Sequence, residues 1–330
     1  MTEKTTFDIV VIGAGPVGLF ATSKFQTAGF HTILLEASDK IGGQLNLYLE
    51  KEVHNIPLID SIKAGDLIDK MVEKIERRDI KTNTKVVDIS QEEDGMYKII
   101  TSNKEFLYGK YVIFACGNGE ILKNKLLLPN ATIFENKTLF YEVNYKQKFF
   151  FKDVVIAGGG DSVIDWAVEL AGSVNSLTII HRREINKIDN QNFKEFQHLV
   201  GSGKIVLKTP YQISKINAKQ GAKDEIENIE ITNIENKNVE TLKTDYLIVF
   251  FGLQAGKSEI LQKYQAQVNQ ANSMSEANEN VFFVGDCCKY NGKLKVMPIG
   301  FSEVLKCFTY ICQKEKNGIN MYGKSTARQQ

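Results

Sequence analysis

One signal occurs twice in this chain and constrains it more than any other. Residues 7–12 (FDIVVI) are a continuous apolar run with β-branched residues, suited to a strand buried on both faces. The turn Gly13-Ala-Gly15-Pro16-Val-Gly18 follows. Next come the helix-period stretch LFATSKFQTA, closed by Gly29, and the strand HTILLE, ending at Glu36. Residues 153–183 repeat this plan. The strand is DVVIA, the turn Gly158-Gly159-Gly160-Asp161-Ser162-Val163, the helix IDWAVELAG and the second strand SLTIIHR.

The segments after each copy also correspond. Residues 85–116 read as a hairpin-rich run with a turn at Glu93-Asp94-Gly95, ending in KYVIFACG. Residues 204–252 contain short strands with turns at Gly221 and Asn236, ending in DYLIVFFG. The expected fold class is therefore α/β, with two Rossmann-like (three-layer ββα) dinucleotide-binding domains. After Gly252 the chain reads as a loop (QVNQANSMSEANEN), a short strand VFFVG reaching Asp286, and a helix from about Ser302. That tail is too short for a domain and is expected to rejoin the first one. The predicted bounds are 1–118 with 250–330 for the first domain and 119–249 for the inserted second. Small residues at Gly117–Gly119 and Gly252 mark candidate hinges between them.

Composition narrows the function classes. The 330 residues carry 41 Lys+Arg against 40 Asp+Glu, so bulk charge does not suggest a nucleic-acid binder. Five cysteines (Cys116, Cys287, Cys288, Cys307, Cys312) include no CxxC pair, which argues against a disulfide framework, a zinc site or an iron–sulfur site. Four histidines show no metal-ligand spacing, so no metal is expected. The polar N-terminus leads straight into a strand, unlike a signal peptide, and no apolar run reaches the ~18–20 residues of a membrane span. The expectation is a cytoplasmic enzyme that uses neither membrane nor nucleic acid.

A glycine turn between strand and helix has a specific use. The first Gly makes the tight turn, the second lets backbone approach a pyrophosphate, and the third allows close helix–strand packing. The helix start then offers free N–H groups and a positive dipole end. In the first copy, Glu36 ends the following strand, where a carboxylate can accept hydrogen bonds from a ribose. The same offset from Gly158 lands on His181, followed by Arg182 and Arg183. A carboxylate repels a 2′-phosphate, whereas Arg grips one with charge-assisted hydrogen bonds. Gly13, Gly15, Pro16, Gly18 and Glu36 are thus expected to hold FAD or NAD. Gly158, Gly160, Asp161, Ser162, His181, Arg182 and Arg183 are expected to hold NADPH/NADP⁺. Val163 departs from the pattern, standing where the third small residue is expected. With two dinucleotides on one chain, NADPH delivers a hydride and a flavin accepts it. No catalytic side chain is required.

The double glycine turn, HRR at 181–183, GGQ at 42–44 and VFFVGD at 281–286 together resemble the thioredoxin-reductase-like flavoproteins over nearly the whole chain. The resemblance implies that the 13–18 turn, Glu36 and the Gly42-Gly43-Gln44 loop hold FAD. It further implies that Asp286 binds the ribityl chain, and that the helix near Ser302 aims its N-terminus at the flavin. Thioredoxin reductases carry a CxxC before the second glycine turn, but residues 138–160 contain no cysteine.

GGQLNLYLEKEVHNIP, ACGNGEILKNKL and VGDCCKYNGKLKVMPIGFSEV instead resemble segments of the ferredoxin–NADP⁺ reductases of the thioredoxin-reductase-like type. This resemblance implies a homodimer and a Tyr48 that stacks on the isoalloxazine. It implies ferredoxin or flavodoxin as the acceptor, met by a local basic surface. In that family the C-terminal segment, here around Ser325 and Thr326, covers the flavin from the partner subunit. Lys324 stands where a His is common, with Tyr322 nearby, so Tyr322, Lys324 or neither covers the ring. Leu49 replaces an expected proline, and Glu120-Ile121 stands where Ala-Phe is commoner. Two other readings stay open: an NADPH oxidase or reductase for another acceptor, and a non-catalytic flavoprotein that senses NADPH.

Overall fold

A computed structural model describes residues 4–119, 121–185, 191–256, 259–265, 276–278 and 280–315. Two compact units divide the chain. The first joins Met1–Ile121 to Ala255–Gln330, and the second spans Leu122–Gln254.

The first unit begins with β1 (Thr6–Ile12), α1 (Pro16–Thr27) and β2 (Thr32–Leu35). Strand β1 sends Ile9 and Val11 to one face of its sheet and Val10 and Ile12 to the other, and both faces are buried. After α2 (Ala64–Val72) and the two-residue β3 (Ile80–Lys81), the chain forms a meander of β4 (Val86–Gln91), β5 (Tyr97–Thr101) and β6 (Phe106–Phe114). Strand β6 serves two partners. Phe106–Gly109 pairs antiparallel with β5, while Tyr108–Phe114 runs parallel to β1.

The second unit repeats the plan with β7 (Leu139–Phe140), β8 (Asp153–Gly158), α3 (Asp161–Leu170), β9 (Ser176–Ile180), α4 (Phe193–Gly201) and β10 (Val206–Lys208). A three-stranded meander follows: β11 (Tyr211–Lys219), β12 (Ala222–Asn233) and β13 (Val239–Lys243). The chain then returns through β14 (Tyr246–Phe250). The five parallel strands lie in the order β7-β14-β8-β9-β10. Val154 and Ile156 of β8 pack with Val163, Ile164, Ala167 and Leu170 of α3. Val155 and Ala157 pack on the opposite face with Ile213, Ile216, Ile229 and Ile231 of the meander. Helix, parallel sheet and meander give the three-layer arrangement expected from the sequence.

The last segment returns to the first unit as α5 (Glu259–Gln265), β15 (Glu276–Asn278), β16 (Val281–Phe283) and α6 (Met297–Glu315). Its sheet order is β15-β16-β6-β1-β2-β3, with β4 and β5 extending from β6. Helices α1 and α6 cover one face, where buried Phe25 lies edge-on to Phe30 and Phe308 at centroid distances of 5.5 and 5.3 Å. Truncating such a ring costs about 3–5 kcal/mol. The other face is covered by the meander and α5, whose Tyr264 hydroxyl donates to Ile89 O at 2.9 Å.

Two expectations need correction. Residues 276–278, read as loop, form the antiparallel edge strand β15. The final helix starts at Met297, not near Ser302. Pro298 suits a first helical turn because its missing N–H would have no intrahelical partner there. Val296 O accepts from the N–H groups of Ile299 and Gly300 at 3.2 and 3.4 Å. Gly300 sits inside the helix because a Cβ there would come within 2.5 Å of Val17 Cγ2. No helix among the described residues is long and apolar enough to cross a membrane. Four of the five cysteines are buried and Cys116 is half-buried.

Candidate functional site: two glycine cradles

The first cradle forms where β1 hands over to α1. Gly13 has φ +105°, and a Cβ on it would stand 2.7 Å from Cys116 Cα. A Cβ on Gly18 would come 1.8 Å from Gly13 O, so the helix seats against the strand only through glycine. Gly15 caps α1 with Pro16 behind it, no side chain caps the helix, and its first turn carries no acid. Its leading N–H groups and positive dipole end are thus left to an external anion. Around Gly15 the nearest obstacle to a Cβ is Gly43 Cα at 4.0 Å, so backbone there can be approached closely.

Glu36 closes one side of this turn. Its Oε2 accepts from Ala14 N–H at 2.7 Å and its Oε1 from Ser38 N–H at 2.9 Å. Its own N–H donates to Lys81 O at 2.8 Å, which fixes the residue at the end of β2. The Gly42-Gly43 loop comes in from another side, with Gly42 N–H donating to Ala14 O at 2.8 Å. A Cβ on Gly43 would lie 2.9 Å from Gly15 Cα. Gln44 is exposed in the short 3₁₀ turn Gly43–Leu47. Tyr48 ends that turn half-buried, packed on a small core of Leu45, Val53, Ala64, Leu67 and Ile68. Burial pushes its phenol above the ordinary 10.0, so the ring stays neutral.

Asp286 lies half-buried in the 3₁₀ turn Gly285–Cys287, just after β16. The turn abuts the start of α1, since a Cβ on Gly285 would meet Val17 Cγ2 at 3.3 Å. The structure therefore brings Gly13, Gly15, Pro16, Gly18, Glu36, Gly43 and the Asp286 turn together. Ser302 does not join them at a helix end. It is an exposed residue well inside α6, because the helix begins earlier than the sequence suggested. Ser325 and Thr326, with Tyr322 and Lys324, lie outside the described residues.

The second cradle has the same form with different chemistry. Gly158 has φ +142°, and a Cβ on it would come within 2.4 Å of Phe250 O. Gly160 caps α3 with open space around it, and Asp161 and Ser162 are exposed in the first turn. Val163, at the place of Gly18, is fully buried in the helix-side core. His181 follows β9. Its N–H donates to Lys208 O at 3.1 Å, and its carbonyl accepts from Tyr211 N–H at 3.0 Å. Its ring lies over Gly159, where a Cβ would stand 2.5 Å from Cε1 and Nε2. Arg182 and Arg183 extend from it, both exposed. Burial first, and then the two guanidinium charges, hold the imidazole pKa below the ordinary 6.5.

Both cradles pass a simple test of fit for a dinucleotide: glycine backbone open at an uncapped helix start, next to a polar strand end. Sequence reasoning missed the polar side chains that brace the Asp286 turn, namely Tyr290, Lys293 and Glu303. Glu303 was discoverable. It shares the helical face of Gly300, Val304 and Cys307, where an acid is buried and needs partners.

The sequence profile of the pyridine nucleotide-disulphide oxidoreductases matches residues 7–303. The chain belongs to this family. Among its relatives is a ferredoxin–NADP reductase of Rickettsia felis, 34% identical over 308 residues that cover 90% of each chain. Another, from Orientia tsutsugamushi, is 33% identical over 317 residues, covering 94% of this chain and 92% of the relative. The family fold extends to thioredoxin reductases of known structure. The Lactococcus lactis enzyme superposes with a TM-score of 0.66 at 22% identity, covering 93% of this chain and 99% of its own. The T. acidophilum enzyme gives 0.67 at 19% identity, covering 95% and 100%. The resemblance drawn from GGQ, HRR and VFFVGD thus holds for the fold.

Proposed function

We propose that this chain is a FAD-dependent NADPH:ferredoxin (or flavodoxin) oxidoreductase, with FAD in the first unit and NADPH/NADP⁺ in the inserted one. One contrast carries the reading: equivalent strand ends bear Glu36 beside the first glycine turn and His181-Arg182-Arg183 beside the second. The names of the relatives support the acceptor. Residues 138–160 hold no cysteine, so the dithiol that would make the chain a thioredoxin reductase is missing from its expected place.

When bound, FAD accepts a hydride and gives up electrons singly, the conversion needed between NADPH and a one-electron carrier. The chain's part is to bind and orient. The N-terminus of α1 and the Gly13–Gly18 backbone hold the pyrophosphate, and Glu36 turns its carboxylate to the ribose hydroxyls. Gly43 and Gln44 line the flavin side, Tyr48 stacks against the ring as a neutral phenol, and Asp286 holds the ribityl chain. In the second unit Gly158, Gly160, Asp161 and Ser162 receive the NADP pyrophosphate, while Arg182 and Arg183 clamp the 2′-phosphate beside His181. Ser325 and Thr326 belong to the segment that covers the flavin across a homodimer. The enzyme works in the cytoplasm, in keeping with the lack of a membrane-spanning helix among the described residues.

The test is an anaerobic assay of the purified yellow protein with ferredoxins and flavodoxins of its own organism. The expected result is their reduction by NADPH, much faster than by NADH. Turnover with oxygen or a quinone that clearly exceeds turnover with either protein overturns the acceptor. Tight FAD and NADPH binding without turnover of any acceptor overturns the enzymatic reading. Light scattering of the holoenzyme tests the homodimer.

A further inference from the structure

A charge pair links the loop between β16 and α6 to α6 itself. Lys293 and Glu303 are almost fully enclosed, with side-chain exposures of 6% and 9% and an Nζ–Oε1 distance of 2.6 Å. The same ammonium donates to Gly285 O at 2.6 Å and to Cys288 O at 3.1 Å. The other carboxylate oxygen of Glu303 accepts from Gly285 N–H at 2.7 Å. Tyr290, although its ring reaches solvent, turns its hydroxyl inward to Glu303 Oε1 at 2.9 Å. Both backbone polar groups of Gly285 are therefore held by one buried ion pair, and Asp286 is the next residue.

Burying two charges is costly, and a pair like this often adds less stability than apolar side chains of equal volume. What it does supply is directional restraint. Gly285 sits at φ +73°, where an unbraced glycine has many alternatives. The pair closes off those alternatives from both sides of the residue.

We propose that Lys293 and Glu303 are positioning residues for the cofactor: they clamp the Gly285–Cys288 turn so that Asp286 is preset for the flavin's ribityl chain. This rests on the reading that Asp286 meets FAD. Neither side chain touches the flavin in this scheme; both act through the turn.

The test is FAD binding to the full chain, measured by stripping the flavin and titrating FAD back, with thermal melting recorded in parallel. Asp286→Ala is the reference, and Lys293→Met and Lys293→Met/Glu303→Gln are the probes. Lys293→Met strands a buried carboxylate, so it is expected to lower the melting temperature and raise the FAD dissociation constant about tenfold or more. The double variant removes both charges. It is expected to regain the wild-type melting temperature while its FAD affinity stays about tenfold weak. Recovery of affinity together with melting temperature shows a merely structural pair and overturns the proposal, as does unchanged affinity in both Lys293 variants. Unchanged affinity in Asp286→Ala overturns instead the placement of Asp286, and the clamp with it.

Discussion

The imidazole of His181 fills the space that a side chain at Gly159 would need, with Cε1 and Nε2 each 2.5 Å from the position of a Cβ. In the first cradle the equivalent residue is Ala14, and its N–H is held by Glu36. The two cradles therefore differ in the turn as well as in the strand end, and each turn is matched to the residue beside it. Gly159→Ala is expected to displace the ring and, with it, the start of the Arg182-Arg183 segment. The protein should keep its FAD and its fold but show a KM for NADPH raised about tenfold or more, the cost of one misplaced charge-assisted contact. Steady-state kinetics on the yellow protein check this.

Arg182→Ala/Arg183→Ala should separate the two nicotinamide nucleotides. Loss of one guanidinium–phosphate contact costs about 2–3 kcal/mol, a factor of tens to a hundred in the KM for NADPH. NADH, which lacks the 2′-phosphate, should hardly change. Equal losses for both would contradict the phosphate role.

The depressed pKa of His181 has a sign that can be tested. Burial and the neighbouring Arg182 and Arg183 charges disfavour the protonated ring in the native state. Below the ordinary value of 6.5 the unfolded chain therefore binds more protons than the folded one, and stability falls as the pH falls through that window. Denaturant titrations across this range should show a shallower pH dependence for His181→Asn than for wild type. The same slope in both would place the titration elsewhere.

Tyr48 offers a spectroscopic check. Tyr48→Phe keeps an aromatic face and should leave the flavin absorbance and FAD affinity close to wild type. Tyr48→Ser removes the ring and is expected to shift the flavin bands and weaken FAD binding, by about 1 kcal/mol or more for a lost stacking partner. Visible spectra of both holoproteins decide it.

Much of the architecture was legible because it rests on short-range rules. The glycine turns, the buried strands on either side and the meanders at Gly95, Gly221 and Asn236 need no long-range information. The start of α6 was placed too late because Gly300 reads as a helix-start glycine until Val17 is known to pack against it within the helix. Strand β15 was missed because an edge strand is defined by its partner, here β16, and three residues are too few to show a period. Of the site, Glu36 and the HRR segment were readable by matched offsets from two turns. The Lys293–Glu303 pair was not, because residues ten apart in sequence meet only once the loop closes on Gly285.

The topology also sets an order of assembly. Strand β16 lies against β6, with Val281 beside Val112 and Phe283 beside Phe114, and α6 supplies much of one core face. During synthesis the inserted unit is complete before either element leaves the ribosome. A chain whose first 275 residues have cleared the ribosome therefore carries the whole inserted unit, while the first unit still lacks β16 and α6.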